Sequence, residues 1–235
     1  MRLGVILPTF CDDVRAISAS ALAEDAGIDG VFVFDHLWPM SRPDRPAISA
    51  FVLLGALAAS TSRVALGPLV ARVGLVPDAV MVAQFRSLDR IAPGRVIGAL
   101  GTGDAKSLEE NDSYGYQRTS AASRRASLAR CAKRVAAGGI PVWVGAGAAP
   151  TLRVAEEVGA AVNFWGAGAD ELASQAARTE VTWAGNLHRD PAQAVVQIRG
   201  MARAGATWAV VSWEGDEEGL DQIISARDSA GIELG

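Results

Sequence analysis

The sequence predicts a single (β/α)8 barrel over residues 1–235, and three observations lead to it. Short apolar, β-branched runs alternate with longer helix-like stretches almost to the end of the chain. Those runs lack polar alternation, as strands covered on both faces should. The first run is followed by Pro8-Thr9-Phe10-Cys11 rather than a Gly-x-Gly-x-x-Gly turn. That favours a closed barrel over its alternative, an open doubly wound sheet.

Taken in order, strands are expected at residues 3–7, 30–34, 64–69, 96–100, 141–145, 161–164, 181–184 and 208–212. Helical patterns fill the gaps at 14–26, 48–60, 79–91, 124–137, 150–158, 191–204 and 219–230. Gly27, Gly138-Gly139, Gly159 and Gly205 fall where helices should stop. Right-handed crossovers leave few topologies other than the barrel for eight such units. No Pro-, Ser- or charge-rich linker divides the chain, so one domain is expected. The longest irregular region runs from Gly101 to about Ser123 and includes Gly-Thr-Gly-Asp and Glu109-Glu110-Asn111-Asp112-Ser113-Tyr114. Loops of this length inside compact domains tend to be functional.

Composition narrows the function classes. Half of the residues are apolar and a fifth are charged, which supplies a large core. The net charge is −4, from 22 basic and 26 acidic residues, and no basic block points to nucleic acid. Cys11 and Cys131 stand far apart, which argues against a disulfide framework or structural zinc. The apolar runs at residues 3–7 and 50–59 are too short for a signal segment or a membrane span, so a cytoplasmic protein without a membrane partner is expected.

Catalytic groups of such a barrel come from the C-terminal ends of its strands. Asp35-His36 directly follows the run Gly-Val-Phe-Val-Phe, setting a carboxylate and one of only two histidines at a strand end. Thr9, Leu69, Val70, Arg72, Thr102, Gly103, Asp104, Gly145, Ala146, Gly147, Trp165 and Trp213 occupy the other ends. The only lysines, Lys106 and Lys133, lie elsewhere, which disfavours Schiff-base chemistry. Two histidines far apart argue against a metal site. Gly145-Ala146-Gly147 precedes a helix and would suit a phosphate, the other reading being a plain tight turn. Gly101-Thr102-Gly103 reads similarly, with a hydroxyl donor added, and two such loops suggest a phosphate-bearing cofactor. Of six tryptophans, Trp143 and Trp183 fall inside strands as barrel filling or wall. Trp38, Trp165 and Trp213 lie at or beyond strand ends and join Thr9 as candidates for a substrate pocket.

The segments Leu3-Gly4-Val5-Ile6-Leu7-Pro8, 23–31, Phe34-Asp35-His36-Leu37, 59–67, 83–90, 94–103 and Ile140-Pro141-Val142-Trp143-Val144-Gly145 resemble the luciferase-like monooxygenase superfamily. The branch they are most similar to is dependent on a deazaflavin, coenzyme F-420. The resemblance is close over about residues 1–105, good over 138–165 and weaker over 187–230. It implies a hydride transfer between coenzyme F-420, or FMN as the alternative, and a small organic substrate. By the same resemblance Asp35-His36 lies against cofactor and substrate, with His36 handling a proton and Asp35 orienting it or touching the ring. An imidazole suits that work because its ordinary pKa is near neutrality. Leu69-Val70 matches the site of a non-prolyl cis peptide that supports the ring. Thr102 and Gly103 match ring or side-chain contacts, Asp104 a reserve acid, and Gly145, Ala146 and Gly147 the cofactor-phosphate loop.

The resemblance further implies a homodimer and a separate enzyme that reduces the cofactor. There are departures: the segments after residue 137 and between the sixth strand and the last βα unit are shortened, and those parts commonly cover the substrate. Asp104 is one methylene shorter than the glutamate it replaces. Three other readings stay open: an FMN-dependent monooxygenase using oxygen, a non-catalytic flavin-binding protein on the same scaffold, and a cofactor-free lyase or isomerase using Asp35, His36 and Asp104.

Overall fold

The computed structural model describes residues 1–10, 15–38, 43–44, 47–103 and 105–232. The chain alternates strand and helix. Its first half runs β1 (Arg2–Ile6), α1 (Arg15–Asp25), β2 (Gly30–Val33), α2 (Ala50–Ser60), β3 (Ala65–Pro68), β4 (Ala71–Arg72), α3 (Asp78–Ile91) and β5 (Gly98–Gly101). A 3-10 turn (Ala105–Ser107), α4 (Leu108–Ser113) and α5 (Ala121–Ala136) follow. The second half is β6 (Val142–Gly145), α6 (Ala149–Val158), β7 (Ala161–Trp165), α7 (Ala169–Ala176), β8 (Val181–Gly185), α8 (Pro191–Arg203), β9 (Ala206–Ser212) and α9 (Glu217–Ser229). The region expected to be irregular after Gly101 is therefore partly helical.

The strand order is β3-β2-β1-β9-β8-β7-β6-β5-β4, with every neighbouring pair parallel. The outermost strands, β3 and β4, are successive pieces of one barrel strand, interrupted by a cis peptide between Leu69 and Val70. Leu66 closes the circle: its N–H donates to Arg95 O (2.8 Å), and its carbonyl accepts from Ile97 N–H (2.9 Å). Eight strand positions were expected, and the third is the one that is split.

Two apolar layers hold the barrel. The inner one packs Ile6, Phe32, Ile97, Trp143, Trp208 and Val210 within the sheet. Phe32 stacks on Trp143 with ring centroids 5.3 Å apart, and Trp208 meets both edge-on. Gly4 and Gly30, paired across β1 and β2, make the room for them. A Cβ on Gly4 would lie 2.9 Å from Phe32 Cε2, and one on Gly30 would lie 2.8 Å from Trp208 Cζ3. The outer layer joins the sheet to the helices and includes Leu54, Leu57, Phe85, Leu128 and Trp183. Trp143 thus fills the barrel, whereas Trp183 lies outside it and donates its indole N–H to Ala167 O (3.0 Å).

Helix ends follow the sequence closely. Asp190 caps α8 by accepting from Gln193 N–H (2.9 Å), with Pro191 in the first turn. Gly159 ends α6 at φ +66°, the left-handed conformation that favours glycine. Among the described residues, no helix is long and apolar enough to cross a membrane.

Candidate functional site

Parallel strands deliver all their C-terminal ends to one mouth, so residues distant in sequence meet there. Asp35 and His36 leave β2 at that mouth. The break in the third barrel strand turns the backbone so that Arg72 N–H donates to Asp35 Oδ2 (2.8 Å). The Arg72 side chain runs on to α4, where Nη2 meets Glu110 Oε1 (2.6 Å) and Nη1 donates to Asn111 Oδ1 (3.3 Å). Glu110 in turn holds His36, with Oε2 2.8 Å from Nδ1, and Oε1 accepts from Leu37 N–H. Asp35, Arg72, Glu110 and His36 therefore form one connected polar network.

The network separates its two carboxyl groups electrostatically. Enclosure by neighbouring atoms pushes the Asp35 carboxyl above its ordinary value, outweighing the Arg72 N–H bond and the charges of Arg72 and His36. Glu110 is only 1% exposed, and burial alone would raise it too. Hydrogen bonds from His36 and Leu37, with the Arg72 charge, hold it instead below the usual carboxylate range. A raised and a lowered carboxyl sharing one cluster is an arrangement often found where protons are moved.

Aromatic rings wall the mouth. Phe10 stacks on Phe34 (5.6 Å), and both present edges to His36 (6.1 and 6.3 Å). Trp165, at the end of β7 and 53% exposed, reaches across to Phe34 (5.8 Å). Thr9 follows β1 and is buried, with Oγ1 lacking a partner among the described residues. Trp38 is buried against Tyr114 (5.6 Å), beside the network rather than in it. Trp213 is a wall residue and not a pocket one: it lies in the outer core, and its indole N–H donates to Asp216 O (2.8 Å) at the start of α9.

The two glycine loops are built differently from each other. A Cβ on Gly101 would collide with Val70 Cγ2, and one on Gly145 would lie 3.4 Å from the same atom. Gly101 is thus bare to accommodate Val70 beside the cis peptide, whereas Gly145 has room for a Cβ in ordinary contact. Gly103 takes φ +67° and, with Thr102, borders a small recess that also touches Arg72, Asn111 and Tyr116. Asp104, the expected reserve acid, lies outside the described residues, as does Cys11. The loop 145–147 leads into α6, whose N-cap Ala148 has no side chain to bond the first N–H groups of the helix. Ala146, Gly147 and Ala148 are exposed there.

These features fit a deazaflavin or flavin. Thr9 Oγ1 offers a buried hydroxyl with no partner among the described residues, the aromatic rings and Val70 offer flat apolar contact, and the bare N-terminus of α6 suits a phosphate. Among the described residues, no group of three or more His, Cys, Asp or Glu side chains could hold a metal ion.

Sequence reasoning placed Asp35 and His36 but missed Glu110 and gave Arg72 no role. Glu110 was one acid in a polar stretch, 74 positions from His36. The available signal was Arg72 itself, because a strand-end arginine entering a closed interior needs a carboxylate.

A family model described as luciferase-like monooxygenase matches residues 1–130, more than half of the sequence. The chain belongs to the luciferase-like monooxygenase family. It is 45% identical over 95 residues to an F-420-dependent glucose-6-phosphate dehydrogenase of Beutenbergia cavernae, a match covering 40% of this chain and 28% of the relative. The chain therefore spans little more than a quarter of that relative's length in the alignment. Among solved structures it is similar in fold to an F-420-dependent secondary alcohol dehydrogenase in complex with an F-420–acetone adduct, at TM-score 0.81 and 13% identity. That match covers 97% of this chain and 98% of the other. It is also similar to the oxygenating constituent of 3,6-diketocamphane monooxygenase of Pseudomonas putida in complex with FMN. Here the TM-score is 0.73 at 13% identity, with 100% of this chain and 99% of the other covered.

Proposed function

We propose that the chain is an oxidoreductase that transfers a hydride between coenzyme F-420 and a small organic substrate. The observation that carries the reading is the network at the barrel mouth: Asp35 and His36 side by side, backed by Arg72 and Glu110, next to the cis peptide before Val70. The names of the relatives at 37–45% identity support F-420 over FMN. When bound, the coenzyme would supply the two-electron chemistry.

The residues of the chain bind, orient and move the proton. His36 takes or returns the proton that accompanies the hydride, at the ring nitrogen not engaged by Glu110. Asp35, whose carboxyl is raised by its enclosure, orients His36 or touches the ligand ring. Phe10, Phe34 and Trp165 exclude water from the mouth, and the N–H groups at the start of α6 hold the phosphate. Asp104 is kept as a further acid on the sequence reading alone.

Replacing His36 with Ala should cut anaerobic turnover of F-420 with its substrate by about 10²–10⁴-fold while leaving coenzyme binding in place. Unchanged turnover would remove the catalytic assignment.

A homodimer is part of the same proposal, as is a separate enzyme that resets the coenzyme. Val52, Val80 and Ile91 are exposed on α2 and α3 beside an apolar groove of about 430 Å³. Sedimentation equilibrium should give the mass of two chains, and Val52→Asp should shift it toward one. A single-chain mass for the wild type at micromolar concentration would overturn the dimer.

A further inference from the structure

We infer that Glu110 is the positioning residue of this site, holding the neutral His36 ring with its hydrogen on Nδ1 and leaving the Nε2 lone pair to meet a substrate proton. The inference rests on the proposed function only for what Nε2 then does. The geometry stands on its own. Glu110 Oε1 receives two groups that can only donate, Leu37 N–H and Arg72 Nη2 (2.6 Å). Its other oxygen has His36 Nδ1 at 2.8 Å. A carboxylate held by an arginine and a backbone N–H is an acceptor, so the hydrogen between Glu110 and His36 belongs to Nδ1.

The anchor is rigid. Arg72 is 6% exposed and fastened to two successive residues of α4, Glu110 and Asn111. Among the described residues, the charged groups around the His36 ring come from three elements: Glu110 from α4, Arg72 from β4, and Asp35 from the end of β2. Asp35 is engaged by the backbone N–H of Arg72, so Glu110 is the carboxylate on the ring. Phe10 and Phe34 confine the ring on its apolar sides. One nitrogen is thus committed to the protein, and the other has no hydrogen-bond partner among the described residues. A carboxylate that sets the tautomer of a catalytic imidazole is worth several orders of magnitude in established enzymes.

The test is ¹⁵N NMR of the two histidine rings, recorded at the alkaline end of a titration where both are neutral, with His188→Gln to assign the signals. The expected result for wild type is His36 with hydrogen on Nδ1. In Glu110→Ala the hydrogen should move toward Nε2, and turnover should fall on the order of 10²-fold with coenzyme affinity retained. Glu110→Gln, whose amide oxygen can still accept, should recover part of both. A wild-type ring carrying its hydrogen on Nε2 would overturn the inference, and so would a tautomer indifferent to Glu110→Ala. The wild-type spectrum decides even where the Ala variant does not fold. The spectrum needs neither coenzyme nor substrate. An Nδ1–H ring in a protein whose F-420 turnover is unchanged by His36→Ala would remove the catalytic role given to His36 and leave the positioning by Glu110 standing.

Discussion

Glu24 and Glu110 are both buried acids in helices, and they do different work. Glu24 at the end of α1 accepts from the N–H groups of Ser62 (3.0 Å), Arg63 (2.5 Å) and Val64 (3.0 Å), tying α1 to the loop before β3. Burial would raise its carboxyl, but these bonds outweigh it and hold the pKa below the ordinary value. A depressed folded pKa stabilises the protein above the unfolded carboxylate pKa, and that contribution is lost as pH falls through the folded value. Glu24→Gln should therefore cost about 1–3 kcal/mol in denaturant unfolding at neutral pH, and the gap should close on acidification. An equal gap at both ends of the range would contradict this account. At this scale the sequence was readable where chemistry is contiguous: Asp35 and His36 follow one strand and could be placed directly. Glu110 was not readable, because only folding brings α4 over the mouth.

Strands could be located from their apolar runs because burial on both faces removes polar residues from them. Their interior packing could not, since it depends on which glycine faces which ring. Gly4 and Gly30 look like ordinary strand glycines in sequence, yet they hold open the space filled by Phe32 and Trp208. Trp208 has little freedom to retreat, being packed by Phe32 and Trp143 and covered by the Arg2 guanidinium 5.5 Å from its ring. Gly30→Ala should thus overpack the barrel and lower stability by about 1–3 kcal/mol, read as a lower thermal midpoint. A variant as stable as wild type would mean that the aromatic layer is looser than described. The split of the third strand was anticipated only as a family resemblance at Leu69-Val70; no composition signal marks it. Likewise α4 hid in a polar stretch because six residues give too short a periodic pattern to read.

Over the whole molecule, closure of the sheet turns local breaks into a site. The interrupted third strand supplies Arg72, the second strand supplies Asp35 and His36, and the loop after β5 returns as α4 with Glu110. The barrel followed from the alternation of runs, as expected of eight repeated units. The identity of the ligand does not follow from the fold, which this chain shares with both an alcohol dehydrogenase and a monooxygenase. Trp213 illustrates the limit: its strand-end position pointed to the pocket, but its indole N–H is used at the start of α9.

The choice of coenzyme is decided by titrating the purified protein with coenzyme F-420 and, separately, with FMN, followed by fluorescence. F-420 should bind with a Kd of about micromolar or tighter, and FMN clearly more weakly. Preferential binding of FMN, or of neither, would contradict the assignment of F-420.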